Sequence, residues 1–520
     1  MFACLLSVPL QAQSGSGGGG SSGDGGGAPA SLHTVPVPLP NNLDQFVQDR
    51  TALLRLGKAL FWDEQTGGDG VQACATCHFS SGVDARTTNT FNPGRNGIFD
   101  TGVTPGGTLT AANFPTAGDD IVGSQGVVRA DFVGIDPDPA NAADLCTLVN
   151  DGVFFPNRQV TGRNAPSTIM AIFNRVNFWD GRAKREFNGV TPAGVVSPPP
   201  TILVDNGNGL QAVSVVISPA SAASQAVGPP NNGTEMSCTG RVFAQLGRKL
   251  LARTPLGRQI VDTTDSVLGS LSASPGNGLT TSYAALINQA FRAQFRASGA
   301  LTPDGFTQME ANFSLFWGLA VLMYESTLVP DQSPFDVWRQ GGPAISSAAR
   351  AGLNVFNGNG RCNHCHTGSA FTAATVSGSG GSDSGFFNTG VTPTAQDGGQ
   401  QPANQGKFKT ATLRNVELTG PYFHNGRYST LRQVVDFYNR GGDVHNEETD
   451  SQIRPLGLSS TVRDNLVAFM ITLTDDRVRF SRAPFDHPSL DVPNGPSLPA
   501  VGAAGGAAIT PFLGLSPFHP

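Results

Sequence analysis

Cysteine and histidine fall twice into the pattern Cys-x-x-Cys-His, at Cys74-Ala75-Thr76-Cys77-His78 and at Cys362-Asn363-His364-Cys365-His366. Two thiols one helical turn apart can add across the two vinyl groups of a haem, and the adjoining histidine then becomes the proximal iron ligand. Zinc would need a further Cys or His pair close in space, and a dithiol redox centre has no use for the trailing histidine. Two copies of the full pattern in one chain therefore predict two covalent c-type haems. One is held by Cys74, Cys77 and His78, the other by Cys362, Cys365 and His366.

Helices must carry these motifs. Leu56-Gly57-Lys58-Ala59-Leu60-Phe61 leads into the first and Ala351-Gly352-Leu353-Asn354-Val355-Phe356 into the second. In both, Gly and Phe stand at i and i+4 on one helix face, which allows close packing and presents an aromatic ring to the haem. The expected fold is mainly α, with two cytochrome-c-like helical domains related by duplication. The first spans residues 41–335 and the second 336–484. The Gly/Pro/Asn-rich stretches Asn89–Gly126 and Pro192–Gly233 exceed what one such domain needs and are expected as ordered loop insertions. The apolar run Leu315–Tyr324 falls in a helix expected to open at Thr302-Pro303-Asp304 and to stop at Pro330. It is too short for a bilayer span, so it is read as core.

Charged residues are only 14% of the 520, with 65 Gly and 37 Pro, which points to modest helices joined by long loops. A net charge of −6 and the lack of a Lys/Arg stripe argue against a nucleic-acid partner. Residues 1–40 are read as the remnant of a secretory signal (Phe2 to Leu10) and a Gly/Ser-rich tether, and 485–520 as a loose tail. An ordinary disordered terminus is the other reading of the first segment. Covalent haem attachment takes place outside the cytoplasm, so the expected location is periplasmic or secreted. Of the remaining cysteines, Cys146 and Cys238 could pair in that compartment or stay as separate buried thiols.

At Phe178-Trp179-Asp180-Gly181-Arg182-Ala183 the chain resembles the bacterial di-haem cytochrome c peroxidases and the related MauG-type enzymes. Phe408-Lys409-Thr410, Leu413-Arg414-Asn415-Val416 and Gly420-Pro421-Tyr422-Phe423-His424-Asn425-Gly426 extend the likeness, which covers roughly residues 53–476 outside the insertions. The resemblance implies that the N-terminal haem handles peroxide and the C-terminal haem stores or delivers electrons. It makes Trp179 the electron stepping stone between them. It also implies a calcium ion between the domains, held by the Asn164 side chain and the carbonyls of Thr419 and Pro421.

Two departures from the ordinary peroxidases matter. No histidine occurs between His78 and His364, so the N-terminal iron is expected to be five-coordinate and open. Tyr438 stands where those enzymes place a methionine ligand, which is the MauG-type arrangement. A phenolate there would lower the potential of the C-terminal haem, whereas a buried tyrosine bonded to a propionate is the plainer reading. The distal acid/base is assigned to Glu235, in Glu235-Met236, with Glu186 as its rival. A glutamine expected about ten residues past the tryptophan is replaced by Gly189. The implied activity is peroxide reduction with a small cytochrome or copper protein as electron donor. Competing expectations are oxidation of a partner protein's aromatic side chains, a rubber-oxygenase-like dioxygenase, and a plain electron-transfer cytochrome.

Overall fold

The computed structural model describes residues 27–376, 385–400, 403 and 405–520. The signal-remnant expectation for Phe2 to Leu10 lies outside them. Eleven α-helices are present among the described residues: α1 (Arg50–Trp62), α2 (Ser221–Ala226), α3 (Phe243–Leu251), α4 (Tyr283–Ala290), α5 (Gln308–Ala311), α6 (Phe313–Glu325), α7 (Pro334–Arg339), α8 (Ser347–Asn357), α9 (Leu431–Arg440), α10 (Ser460–Ile471) and α11 (Asp476–Arg479). The strands form only two-stranded antiparallel pairs. These are β1 (Phe91–Asn92) with β2 (Ile121–Val122), β3 (Ala130–Gly134) with β4 (Leu145–Leu148), β5 (Ile202–Val204) with β6 (Gln211–Val213), β7 (Phe386–Phe387) with β8 (Phe408–Lys409), and β9 (Leu490–Asp491) with β10 (Ser497–Leu498).

Each half is organised by one tight helix crossing, and glycine makes both possible. A Cβ on Gly57 of α1 would lie 1.9 Å from the Ala320 carbonyl oxygen of α6, and one on Gly352 of α8 would lie 1.9 Å from that of Asn465 in α10. Four residues on, Phe61 and Phe356 line a cavity in their respective halves. α1 begins where the Asp49 carboxylate accepts from the Thr51 and Ala52 amides, and α8 where Ser346 accepts from Ala349. α6 is buried over its whole length, and no helix among the described residues is long and apolar enough to cross a membrane.

Four expectations need correction. The helix at Leu315–Tyr324 does not open at Thr302, whose hydroxyl and amide close a turn with Phe306; Thr307 caps the short α5 and α6 follows. The stretch 192–233 is more than loop, since α2 lies within it and packs on α6 through Ala222 and Ala223, small residues that permit close approach. Residues 27–40 are docked, because Asp336 of α7 accepts from the Ser31 hydroxyl and the Leu32 amide at 3.0 and 2.8 Å. Segment 485–520 is also packed: Phe485, Leu490 and Val492 enter the N-terminal core, the Asp486 carboxylate meets Lys58 at 3.4 Å, and His487 stacks on Trp62 at 4.9 Å. Apolar anchors among Pro and Gly outweigh the loose composition. Cys146 of β4 and Cys238 form a disulfide.

Candidate active site

Two cavities lie side by side, one for each Cys-x-x-Cys-His motif. The N-terminal cavity is lined by Cys74, Cys77, His78, Phe61, Gln225, Glu235 and Glu325 among others. The C-terminal cavity is lined by Cys362, Cys365, His366, Phe356, His424 and Tyr438 among others. Both histidines are oriented alike. His78 Nδ1 bonds to the Gly82 carbonyl at 2.7 Å and His366 Nδ1 to the Phe371 carbonyl at 3.0 Å, which leaves each Nε2 to face the cavity. Such a bond fixes the tautomer that a metal-binding imidazole needs. Burial pushes both imidazoles toward the neutral form, His366 to about 4. The four motif cysteines carry no disulfide. Paired thiols beside a neutral, oriented imidazole in an enclosed cavity fit a covalently held haem in each half.

Trp179 stands in the wall shared by the two cavities, together with Asn164, Asn174 and Lys409. Its indole N–H donates to the Asn164 carbonyl at 2.7 Å, and its own carbonyl accepts from the Lys409 amide at 2.8 Å. The preceding residue, Phe178, takes φ +60°, a conformation a bulky side chain rarely adopts, under the Arg182 guanidinium 3.8 Å from its ring centre.

Glu235 lines the N-terminal cavity, and burial pushes its carboxyl above the usual range while Arg182 opposes the shift. Glu186 does not line it. A glutamine does: Gln225 of α2 supplies the amide that Gly189 lacks, carried there by the element that the 192–233 stretch contributes. Glu325, at the end of α6, was not anticipated. It is fully buried on the same cavity, neither carboxyl oxygen has a hydrogen-bond partner among the described residues, and burial pushes it up to about 8. The signal was legible as a lone acid closing the most apolar run of the chain.

Tyr438 of α9 faces the C-terminal cavity, with the motif thiols of Cys365 and Cys362 near enough to add to the upward shift that burial imposes on its phenol. His424, also unanticipated, stacks on Phe408 at 3.5 Å and meets Trp179 edge-on at 6.4 Å. Its buried Nε2 has no hydrogen-bond partner among the described residues, and the nearest Asp397 oxygen is 4.0 Å away. Asn164, Thr419 and Pro421 all border the C-terminal cavity. The Asn164 amide nitrogen donates to the Val122 carbonyl at 3.1 Å, which leaves its oxygen as an acceptor. No cluster of three or more His, Cys, Asp or Glu among the described residues could hold a metal. An ion here would have to rely on amide and carbonyl oxygens, a donor type that suits calcium.

Two histidine-bearing cavities, each beside a Cys-x-x-Cys-His motif, share one tryptophan in their common wall. The chain belongs to the di-haem cytochrome c peroxidase family, whose model matches residues 51–344. That match takes in the first motif, Trp179, Glu235 and Glu325 and ends before the second motif. Similar curated proteins include a cytochrome-c peroxidase of Denitromonas iodatirespirans, 33% identical over 193 residues (30% of this chain and 48% of that protein). The methylamine utilization protein MauG of Methylorubrum extorquens is 32% identical over 217 residues, 40% of this chain and 52% of that protein. The cytochrome c551 peroxidase of Pseudomonas aeruginosa is 28% identical over 331 residues, 61% of this chain and 66% of that protein. The chain thus spans about half the length of the first two and two thirds of the third. Among solved structures, a MauG-like protein associated with microbial copper homeostasis shares the fold, with a TM-score of 0.51, 18% identity, and coverage of 88% of this chain and 98% of that one.

Proposed function

We propose that the chain is a di-haem c-type oxidoreductase that reduces hydrogen peroxide at the N-terminal site and draws electrons through the C-terminal site. One observation carries the reading: among the described residues His78 is the only histidine lining the N-terminal cavity, and the wall beside it holds Glu235, Gln225 and Trp179. Haem, when bound, supplies the iron at which peroxide is reduced, and the protein supplies the rest. Cys74 and Cys77 tether the group and His78 fixes its orientation. Glu235, biased toward its neutral form by burial, can hold and return a proton within the cavity, and the Gln225 amide can orient peroxide beside it. Trp179 touches both sites and donates its N–H to an amide carbonyl, too weak a base to take that proton, so it can lose and regain an electron in place. In the second half Cys362 and Cys365 would tether the group, and His366 and Tyr438 would hold its iron. Asn164, Thr419 and Pro421 would hold a calcium ion through amide and carbonyl oxygens. The disulfide fits a periplasmic or secreted location. The electron donor is a small cytochrome or copper protein.

Tyr438 favours one second reading, in which the electrons come from aromatic side chains of a partner protein, as the MauG resemblance implies. The balanced reaction, H2O2 + 2 H+ + 2 e− → 2 H2O, supplies the test. Mixed with peroxide and a reduced small c-type cytochrome, the protein should oxidise two cytochromes per peroxide. Oxygen uptake without peroxide would indicate a dioxygenase, and no turnover would leave an electron carrier.

A further inference from the structure

Among the described residues three cations, Arg163, Arg182 and Lys409, line the N-terminal cavity, and two of them are matched. Arg163 pairs with Asp180 at 2.8 Å and with Asp397 at 2.7 Å, and Arg182 pairs with Asp180 at 3.0 Å. Lys409 is not matched. It is 5% exposed, it borders both cavities, and its ammonium makes no hydrogen bond or ion pair with any described residue. Its backbone is held firmly, paired with Phe386 across β7 and β8 and bonded to the carbonyl of Trp179. The side chain therefore starts from a fixed backbone next to the tryptophan and is buried on the wall shared by the two cavities.

A buried ammonium without an anion costs several kcal/mol, so such groups are found paired. Of the acids on the same cavity, Asp180 is already engaged by arginines, and Glu235 and Glu325 make no ion pair with the ammonium. The missing anion must come with a ligand. A haem brings two propionate carboxylates, and two haems in adjoining cavities bring four.

We propose that Lys409 is an anion clamp, its ammonium neutralised by a propionate of one of the two haems at the wall beside Trp179. The proposal rests on the di-haem reading above. It gives Lys409 two tasks. The clamp fixes the rotation of one haem relative to Trp179, and it cancels a propionate's negative charge where an electron must cross. Without a partner, burial alone pushes the ammonium down to about 8; a paired propionate holds the proton in place. A fixed positive charge beside a haem, at the effective dielectric of a protein, shifts its reduction equilibrium roughly tenfold, or 59 mV for one electron. It does so toward the reduced form.

The test uses the haem-loaded chain, with haem stoichiometry read from intact mass and the two midpoint potentials from spectroelectrochemical titration. Lys409→Met removes the charge and keeps the length; Lys409→Arg restores the charge. Two covalent haems should be retained in both. One haem of Lys409→Met should shift about tenfold toward the oxidised form, and Lys409→Arg should return it to within about twofold of the parent. Lys409→Gln repeats the neutral substitution. If both neutral variants lose a haem while Lys409→Arg keeps two, the charge is needed for loading and the clamp stands. Neutral variants with two haems and both potentials unchanged overturn the clamp. A parent chain with no covalent haem overturns the di-haem reading instead.

Discussion

Glu235 and Trp179 border one cavity and have different tasks, so their substitutions should fail differently. Glu235→Gln should slow the reaction with peroxide by about 100-fold or more while haem content stays normal. Trp179→Phe should leave that first reaction intact and abolish oxidation of the second site. Stopped-flow spectroscopy after mixing with peroxide separates the two, and a normal rate in Glu235→Gln would return the proton to another group. Glu325 permits a test by pH. Its carboxyl lies at about 8 in the folded chain against an ordinary 4.5. Between those values the folded state binds more protons than the unfolded one, so stability falls as pH rises through the window. Glu325→Gln should flatten that slope, worth on the order of 2–3 kcal/mol from pH 5 to 8, in denaturant titrations. An unchanged slope would mean that water reaches the carboxyl. The motif cysteines and histidines were legible in the sequence because covalent attachment requires them to be neighbours along the chain. Lys409 and His424 were not, since what distinguishes them is the partners they lack in space, and Glu325 left only the trace of a lone acid closing an apolar run. Gln225 was not legible because the amide was expected about ten residues past Trp179, at Gly189, and the inserted segment places it farther along the chain on α2.

Among the elements, the two glycine crossings hold the motif helices at a set distance from their partners. Gly57→Ala would drive a methyl into the backbone of α6, and Gly352→Ala into that of α10. Each should destabilise by about 1–3 kcal/mol in chemical denaturation. The effects should add in the double variant, because the crossings lie in different halves. A change under about 0.5 kcal/mol would show that the helices can part freely. The Gly and Phe pattern was readable because both residues act on a single helix face. α2 was not, since Ser221–Ala226 is short, rich in small residues and set in Pro/Gly-rich flanks, and only packing on α6 makes it core.

At the scale of the molecule, the C-terminal segment binds the halves as much as the helices do. Asp486 meets Lys58 beneath α1, His487 stacks on Trp62, and the Arg432 amide of α9 donates to the Pro517 carbonyl. Truncation after Pro484 removes apolar anchors and leaves Lys58 with Asp265 alone. It should lower the melting temperature by several degrees in a calorimetric scan, and an unchanged value would restore the loose-tail reading. Composition misled there because Pro and Gly mark irregular backbone, and irregular backbone can still be packed.

Peroxide reduction by this chain depends on an N-terminal site that is open to peroxide. It rests on a cavity whose lining offers no second histidine and a single thioether, that of Met236. Electron paramagnetic resonance of the as-isolated ferric protein tests it directly. A high-spin signal that cyanide converts to low-spin, without prior reduction, is the predicted result. A purely low-spin spectrum that cyanide does not alter would contradict the account and point to an internal sixth ligand, with Met236 the first residue to replace.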